Sequence, residues 1–220
     1  EEIRARTGRR LRSEVLTIGY ARRATSYKRP GLVFADTGRL RSIARRHPIQ
    51  LVFAGKAHPR DQGGKDAIRQ WIAEAVSLGD EVPVVFLAGY DLELARLLVS
   101  GVDVWLNTPQ RPQEASGTSG MKAAHNGVPS LSTLDGWWRE GHIEGVTGWS
   151  IGGTEVLGEA DAYRADAADL YDKLEHCILP AFCGSREGWA RIMAQTIALN
   201  ASFFNTHRMV SQYALHAYAI

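Results

Sequence analysis

The chain has 220 residues, of which 45% are hydrophobic, enough for the core of one large domain or of one domain with a helical appendage. Its 26 lysines and arginines against 24 acids leave a net charge of +2, which favours neither nucleic acid nor a membrane surface as a partner. Two cysteines are too few for a disulfide framework or a thiolate zinc site, and the histidines lack ligand spacing. We therefore expect a cytoplasmic protein without a metal site.

The start of the sequence bears on targeting and on charge. No apolar run is long enough to cross a bilayer, and the N-terminus, EEIRARTGRRLRSEV, lacks the apolar core of a signal peptide. The sequence does not begin with Met, which favours a fragment or a processed chain. Thirteen basic residues lie before His47, together with only four acids. We expect this region to carry a positive field and to bind something anionic.

Short apolar runs alternate with longer amphipathic stretches. Runs that are apolar throughout are typical of parallel strands buried on both faces. The predicted strands are Val15–Tyr20, Gln50–Ala54, Val82–Leu87, Val102–Leu106, Ser130–Thr133 and Gly148–Ile151. The predicted helices between them are Gly31–Arg46, Gly63–Leu78 and Leu92–Ser100. This alternation predicts a doubly wound α/β fold with a mainly parallel sheet, in which ligands bind where strands end and helices begin.

Beyond Glu159 the strand pattern stops. Two helical stretches follow, Ala160–Ile178 and Glu187–Asn200, separated by proline and glycine. We expect residues 1–158 to form a Rossmann-like domain and residues 159–220 to add helices that pack on it.

The stretch 114–126, EASGTSGMKAAHN, places one lysine directly after a run of Gly, Ser and Thr. Residues 117–120 predict a turn that enters a short helix over residues 121–126, and its free N–H groups suit a phosphate. Lys122 would project from the first turn, where partial burial among small apolar residues favours the neutral amine that forms imines. A phosphate cradle beside a nucleophilic amine suits pyridoxal phosphate. Residue type and spacing alone, however, favour a solvated helix lysine.

The whole motif changes that balance, because EASGTSGMKAAHN resembles the pyridoxal phosphate attachment segment of the α-glucan phosphorylases. Residues 22–29, RRATSYKR, follow the first strand and resemble a basic segment of the same family. Three shorter pieces fall in family order, namely GKA at 55–57, GY at 89–90 and LDG at 134–136, and FFNTHRMV resembles the C-terminal end of the short bacterial members. The chain is thus identified as a member over at least residues 16–152.

The resemblance implies the C-terminal half of a GT-B glycosyltransferase, with residues 1–158 binding pyridoxal phosphate and phosphate. Lys122 would carry the cofactor as a Schiff base, and the ring would lie near Tyr90. The cofactor's phosphate would be held by Thr118, Ser119 and Arg22. The family often has Lys where Arg22 stands, so a planar fork replaces a point charge there.

The resemblance also implies the substrates. Arg23 and Lys28 would bind inorganic phosphate and, with Lys122, form the catalytic set, while Glu114, Ser116 and Gly117 would bind the hydroxyl groups of the terminal glucose. The reaction would be reversible phosphorolysis of α-1,4-glucan chain ends to glucose 1-phosphate. Which glucan is the natural one stays open.

The family's N-terminal half has no counterpart here, so we expect an isolated chain that binds cofactor and phosphate but is essentially inactive. Full-length relatives usually form homodimers, largely through the half that is absent. Two alternatives remain. A nucleotide-sugar glycosyltransferase of the glycogen synthase type shares the layout but has no need for Lys122. A non-enzymatic anion-binding Rossmann domain would need fewer groups than Tyr90, Arg23 and Lys28 together provide.

Overall fold

The computed structural model describes residues 1–153 and 158–218 and contains one six-stranded sheet in which every strand pair is parallel. The strands are β1 (Leu16–Arg23), β2 (Ile49–Lys56), β3 (Val84–Leu87), β4 (Val104–Asn107), β5 (Ser130–Thr133) and β6 (Gly148–Ile151). Their order across the sheet is β3-β2-β1-β4-β5-β6. The order reverses between β1 and β4, which is where ligands bind in doubly wound folds. The predicted fold class is confirmed.

Helices cover both faces of the sheet. They are α1 (Glu2–Thr7), α2 (Thr37–Arg46), α3 (Gln62–Leu78), α4 (Leu92–Gly101), α5 (Thr118–His125), α6 (Trp138–Gly141), α7 (Glu159–Lys173), α8 (Leu179–Gly184), α9 (Arg186–Gln195) and α10 (Thr206–Tyr213). Short 3-10 segments occupy Ser26–Lys28 and Pro30–Phe34, and wider π-type turns occupy Leu174–Ile178, Thr196–Ala201 and Ala214–Tyr218. Within the two described ranges, no helix has both the length and the apolar character to cross a membrane.

Two of the predicted helices begin elsewhere. The prediction of one helix over residues 31–46 is wrong, because the chain forms a 3-10 segment and then restarts as α2. Asp36 causes the restart, since its side chain accepts a hydrogen bond from Arg39 N at 2.8 Å and caps the new helix. The helix predicted over residues 121–126 begins earlier, at Thr118, with Gly117 as its N-cap.

Each face of the sheet has its own apolar cluster. One cluster joins β1 to α2, α3 and α7 through fully buried side chains such as Ile18, Leu40 and Leu170. The other joins the sheet to α4 and α5 through Leu94, Trp105 and other residues. Burial of a large aliphatic side chain stabilises a fold by about 1.5–3 kcal/mol, so these clusters fix α5 and α7 on opposite faces.

The C-terminal helices differ in how well they are covered. Helix α7 contributes to the same cluster as β1, directly after residues 154–157, which lie outside the described part of the chain together with 219–220. Further on, large apolar side chains are exposed, including Leu199, Val210 and Tyr213. The helical tail therefore begins as part of the domain core and ends with an apolar surface that nothing in the described residues covers.

A polar contact fixes α7 to the loop before β6 and makes stability depend on pH. Burial alone would raise the pKa of Glu144, but hydrogen bonds from Lys173, Ser150 and His142 lower it below the ordinary value. A lowered carboxyl pKa stabilises the fold above the ordinary glutamate pKa of about 4.3, and this contribution disappears as the pH falls through the lowered pKa.

We expect Glu144→Gln to lower the free energy of unfolding at pH 7 by about 1 kcal/mol, a small effect because the carboxylate is partly exposed. Urea unfolding at pH 7 and at pH 3 measures it. The difference between variant and parent should shrink at pH 3, because the carboxylate of Glu144 in the parent takes up protons as the pH falls towards and through its lowered pKa. A difference of equal size at both pH values would contradict the assignment.

Candidate functional site

A buried cluster of one carboxylate and two cations lies at the carboxyl edge of the sheet. Arg22 ends β1, and its Nη1 lies 3.0 Å from Glu114 Oε2. Lys28 Nζ contacts the same oxygen directly. The side chains of Arg22, Lys28 and Glu114 are only 8%, 10% and 11% exposed. One negative and two positive charges leave an excess of +1 in a nearly dry place, so the cluster is suited to a further anion.

The backbone of the turn after β1 is fixed by neighbouring strands. Lys28 O accepts hydrogen bonds from Tyr20 OH at 3.3 Å and from Thr108 Oγ1 at 2.8 Å. The Lys28 ammonium lies 4.4 Å from the centroid of the Tyr27 ring, close enough for a cation–π contact. These contacts hold an ammonium group in a place where a flexible surface lysine would not stay.

The N-terminus of α5 faces this cluster. Gly117 has a φ of 87°, a left-handed conformation that favours glycine, and no side chain caps the helix. A Cβ added to Gly117 would lie 3.7 Å from Arg22 Nη2 and 3.2 Å from Trp137. The first N–H groups of a helix have no acceptor within the helix. These backbone donors and the Arg22 guanidinium therefore border one small anion-binding region.

Three buried polar atoms near this edge make no hydrogen bond within the described residues, namely Arg22 Nη1, Thr25 Oγ1 and Asn107 Oδ1. Arg22 Nη1 is an ion-pair neighbour of Glu114, yet the angles are not those of a hydrogen bond. Asn107 is only 3% exposed. Unsatisfied buried polar atoms are costly, so they point to a missing partner. Asn107 was missed by the sequence analysis, although a polar residue directly after an apolar strand is a usable signal.

Tyr90 lies half-buried beyond β3. Burial raises the pKa of its hydroxyl, and the positive charge of Arg22 acts in the opposite direction.

Lys122 lies in the same helix but does not join the cluster. Its side chain is exposed, and the expectation of partial burial is wrong for this chain. The reason is the earlier start of α5, which places Lys122 in the second turn and gives the buried positions to Gly120, Ala123 and Ala124. Asn126 Nδ2 donates a hydrogen bond to the Lys122 carbonyl at 2.8 Å. The amine of the exposed side chain makes no hydrogen bond within the described residues and is open to solvent.

The other predicted site residues lie around this edge with different exposure. Thr118 is exposed in the first turn of α5, while Ser119 Oγ accepts a hydrogen bond of 3.3 Å from Trp105 Nε1. Arg23 is exposed at the end of β1 and lies outside the ion-pair cluster. Ser116 is half-buried, and its carbonyl accepts from Trp137 N. The cluster and the α5 terminus are brought together, whereas Arg23 and Lys122 are exposed and form no ion pair with the cluster within the described residues.

Comparison with known proteins identifies the family. The family model described as carbohydrate phosphorylase matches residues 4–140. The chain is 45% identical to a maltodextrin phosphorylase of Thermococcus litoralis over 90% of its own length, and 45% identical to a glycogen phosphorylase of Aquifex aeolicus over 92%. A glycogen phosphorylase of Mycobacterium bovis is 43% identical over 93%.

The chain belongs to the carbohydrate phosphorylase family.

Its extent differs from that of these phosphorylases. The chain spans only 24%, 30% and 25% of the three relatives, in the order given above. Family membership favours a phosphorylase over the nucleotide-sugar transferase that the sequence left as an alternative.

A cleft of about 1030 Å³ lies next to the cluster rather than over it. It is lined by Arg29, Arg111, Asp135 and Tyr163, whereas Lys122 and Arg22 are not among its lining residues. The cluster is the better candidate for the site, because it gathers buried charge and buried polar atoms that make no hydrogen bond within the described residues.

A further residue that supports the cluster is Asp135, within the LDG motif. Its Oδ2 accepts a hydrogen bond from Glu114 N at 2.8 Å, and its Oδ1 accepts from Gly136 N at 3.0 Å. Asp135 is 5% exposed, so these bonds act in a nearly dry environment. They hold the backbone that presents the Glu114 carboxylate.

Proposed function

We propose that this chain is the C-terminal catalytic half of a pyridoxal-phosphate-dependent α-glucan phosphorylase that cleaves α-1,4-glucan chain ends reversibly to glucose 1-phosphate. The observation that carries the proposal is the buried cluster of Arg22, Lys28 and Glu114 facing the uncapped N-terminus of α5. Family membership supports the reaction class.

The residues present fit the cofactor. The backbone N–H groups of Thr118 and Ser119 and the guanidinium of Arg22 would hold its phosphate, with Tyr90 beside the ring and Lys122 Nζ as the attachment point. The left-handed Gly117 leaves the space a Cβ would fill, and Arg22 Nη1, which is paired with Glu114 but makes no hydrogen bond within the described residues, supplies a donor. When bound, the cofactor's phosphate would exchange a proton with the phosphate substrate.

Arg23 and Lys28 would bind inorganic phosphate. Two phosphates a few Å apart repel each other by about 4 kcal/mol per pair of unit charges at an effective dielectric of 20. Cations must offset this repulsion, and Lys28 is already held in the site by Glu114. Arg23 is exposed and free to turn toward the substrate.

Glu114, Ser116 and Gly117 would bind hydroxyl groups of the terminal glucose. Both ion pairs of Glu114 use Oε2. Its Oε1 therefore stays available to accept from a sugar hydroxyl while Oε2 keeps the two cations in place. The same carboxylate would thus couple sugar binding to the position of the phosphate-binding lysine.

We further propose that residues 1–158 form the cofactor- and phosphate-binding domain, that residues 159–220 pack on it, and that an N-terminal half closes the site. The exposed Lys122 is consistent with a surface that another body covers. The full-length protein would form a homodimer in the cytoplasm, where the free Cys177 and Cys183 stay reduced.

Cofactor attachment tests the proposal. The chain is incubated with pyridoxal phosphate, reduced with borohydride, digested and mapped by mass spectrometry. We expect the adduct at Lys122, one of five lysines in the sequence. Lys122→Arg should lose at least nine tenths of the label, whereas the matched variant Lys56→Arg should keep it. Equal labelling of Lys56 and Lys122 would mean that no specific site exists.

Activity of the isolated chain should be absent, because water can enter a site that only one half of the enzyme borders. Maltodextrin and inorganic phosphate are incubated with the cofactor-loaded chain, and glucose 1-phosphate is measured. We expect no product above the Lys122→Arg control. Product formation that depends on Lys122 would show that the second half is dispensable.

A further inference from the structure

Helix α7 carries a buried carboxylate that binds two arginines from two different loops. Asp166 is 1% exposed. Its Oδ2 accepts from Arg29 Nη2 at 2.6 Å, and its Oδ1 accepts from Arg111 Nη2 at 2.7 Å. Charge-assisted bonds of this length, shielded from water, are among the stronger polar contacts in proteins. Asp166 therefore joins these two loops to the helix.

The first arginine, Arg29, is the direct chain neighbour of Lys28 in the cluster. Arg29 follows Lys28, and its Nε donates to Thr108 O at 2.9 Å. Thr108 Oγ1 in turn donates to Lys28 O and to Arg29 O. Arg29 adopts a left-handed φ of 42°, which is unfavourable for a residue with a side chain, so its contacts must hold it there. The salt bridge to Asp166 is one of them, and both of its partners are buried.

The second arginine, Arg111, lies in the loop that presents Glu114. Arg111 lies three residues before Glu114 and also donates from Nη1 to Gly153 O at 2.6 Å. A Cβ added to Gly152 would lie 1.9 Å from Asp166 Oδ1, so the backbone there approaches the carboxylate as closely as glycine allows. The loop that presents Glu114 is thus attached to α7 and to the end of β6.

We propose that Asp166 is a positioning residue that keeps Lys28 and Glu114 in contact and so sets the geometry of the phosphate-binding cluster. Lys28 and Glu114 meet across two loops, and Asp166 binds one arginine in each loop. The consequence for phosphate binding rests on the proposed function. The consequence for the Lys28–Glu114 pair does not, since it follows from the contacts alone.

This role makes α7 part of the site. The helix lies beyond the boundary expected at residue 158, yet it supplies the carboxylate that holds both loops. Removing the charge would leave Arg29 and Arg111 facing each other without an anion, and they would move apart. The Lys28 turn and the Glu114 loop would move with them.

The test measures how fast the Lys28 amine is acetylated, residue by residue, by mass spectrometry. Lys28 is protected in the parent chain because its side chain is only 10% exposed. We expect Asp166→Asn to raise the acetylation rate of Lys28 at least tenfold and to leave the exposed Lys56 unchanged. The matched control is Asp172→Asn, which removes an exposed salt bridge to Arg39 from the same helix. It should leave Lys28 protected.

The result separates positioning from general loss of stability. A variant that is merely less stable, measured well below its Tm, keeps the Lys28 protection of the parent. If Asp166→Asn does not fold, Arg111→Lys gives the second measurement, because it keeps the charge but shortens the reach to Asp166. We expect a rise of about threefold or more for that variant. Unchanged Lys28 acetylation in the folded variants would overturn the proposal.

A second measurement, Lys28 acetylation in the presence of inorganic phosphate, tests the proposed function separately from the positioning role. If Lys28 binds phosphate, added phosphate slows its acetylation in the parent chain relative to the same ionic strength of chloride, and slows it less in Asp166→Asn. Absence of any phosphate effect in the parent would count against the phosphate site. A faster Lys28 reaction in Asp166→Asn would still establish the positioning role.

Discussion

Replacing Glu114 by glutamine should lower the free energy of unfolding of this chain by about 3–5 kcal/mol while making it respond more strongly to inorganic phosphate. The carboxylate is the shared partner of Arg22 and Lys28, and all three side chains are nearly buried. Glutamine keeps the shape but removes the charge. Two cations then remain close together in a region with little water to screen them.

The same change leaves both cations without a negative partner. In the parent chain the carboxylate already offsets one of the two positive charges, so a bound phosphate gains less there than it would beside two uncompensated cations. In Glu114→Gln a bound phosphate restores the missing negative charge. Thermal unfolding with and without phosphate, at ionic strength matched with chloride, measures both effects. We expect the phosphate-induced rise in Tm to be larger for the variant than for the parent.

The control for this prediction is Glu140→Gln, which changes an exposed glutamate of α6 and should shift neither quantity. The interpretation of the cluster would fail if Glu114→Gln were as stable as the parent. It would also fail if phosphate stabilised both proteins equally, since the carboxylate would then not be the group that offsets the charge of the two cations.

The second large effect is expected at Gly148, where β6 begins. Its φ is 147°, and an added Cβ would lie 2.1 Å from Ser130 O and 2.8 Å from Ser130 N, both backbone atoms of the neighbouring strand. Backbone atoms in a paired strand cannot move aside as a flexible side chain would. We therefore expect Gly148→Ala to cost about 4 kcal/mol or more and to separate β6 from β5.

Gly145 provides the matched comparison, because it also has a positive φ, 71°, but no atom within 4 Å of an added Cβ. Gly145→Ala should cost only about 1–2 kcal/mol, which is the conformational term alone. Urea unfolding of both variants measures the difference. Equal costs at the two positions would mean that the contact with Ser130 is relieved by a small backbone shift.

The strands were the easiest part of the fold to predict. β5 and β6 coincide with the predicted runs, and β1 extends beyond its predicted end to include Arg22 and Arg23. A parallel strand buried on both faces needs a continuous apolar run, so the sequence marks it directly. Arg22 and Arg23, the polar residues that end β1, are not part of the apolar run, so the sequence pattern does not predict that the strand includes them.

Helix starts were harder to predict because they depend on the cap. Gly117 was assigned to a turn, and the helix was placed after Gly120, since Gly, Ser and Thr are weak helix formers. In the structure Gly117 takes a left-handed conformation and α5 begins at once. That shift of three residues moves Lys122 from the first turn to the second, away from the free N–H groups at the start of the helix.

The sequence by itself determined the family, the parallel sheet and the identity of the residues proposed to bind the cofactor and phosphate. These depend on local order, such as an apolar run or a continuous motif of thirteen residues. Only the tertiary structure decided that Glu114 bridges Arg22 and Lys28, that Asp166 holds both loops, and that Lys122 is exposed.

The physical reason lies in sequence separation. Lys28 and Glu114 are 86 residues apart, and Arg29 and Asp166 are 137 residues apart. Such pairs form only after the sheet has brought its strand ends together, and no local pattern encodes which carboxylate a given arginine will find. Exposure is decided in the same way, since a helical face is buried only by whatever packs against it.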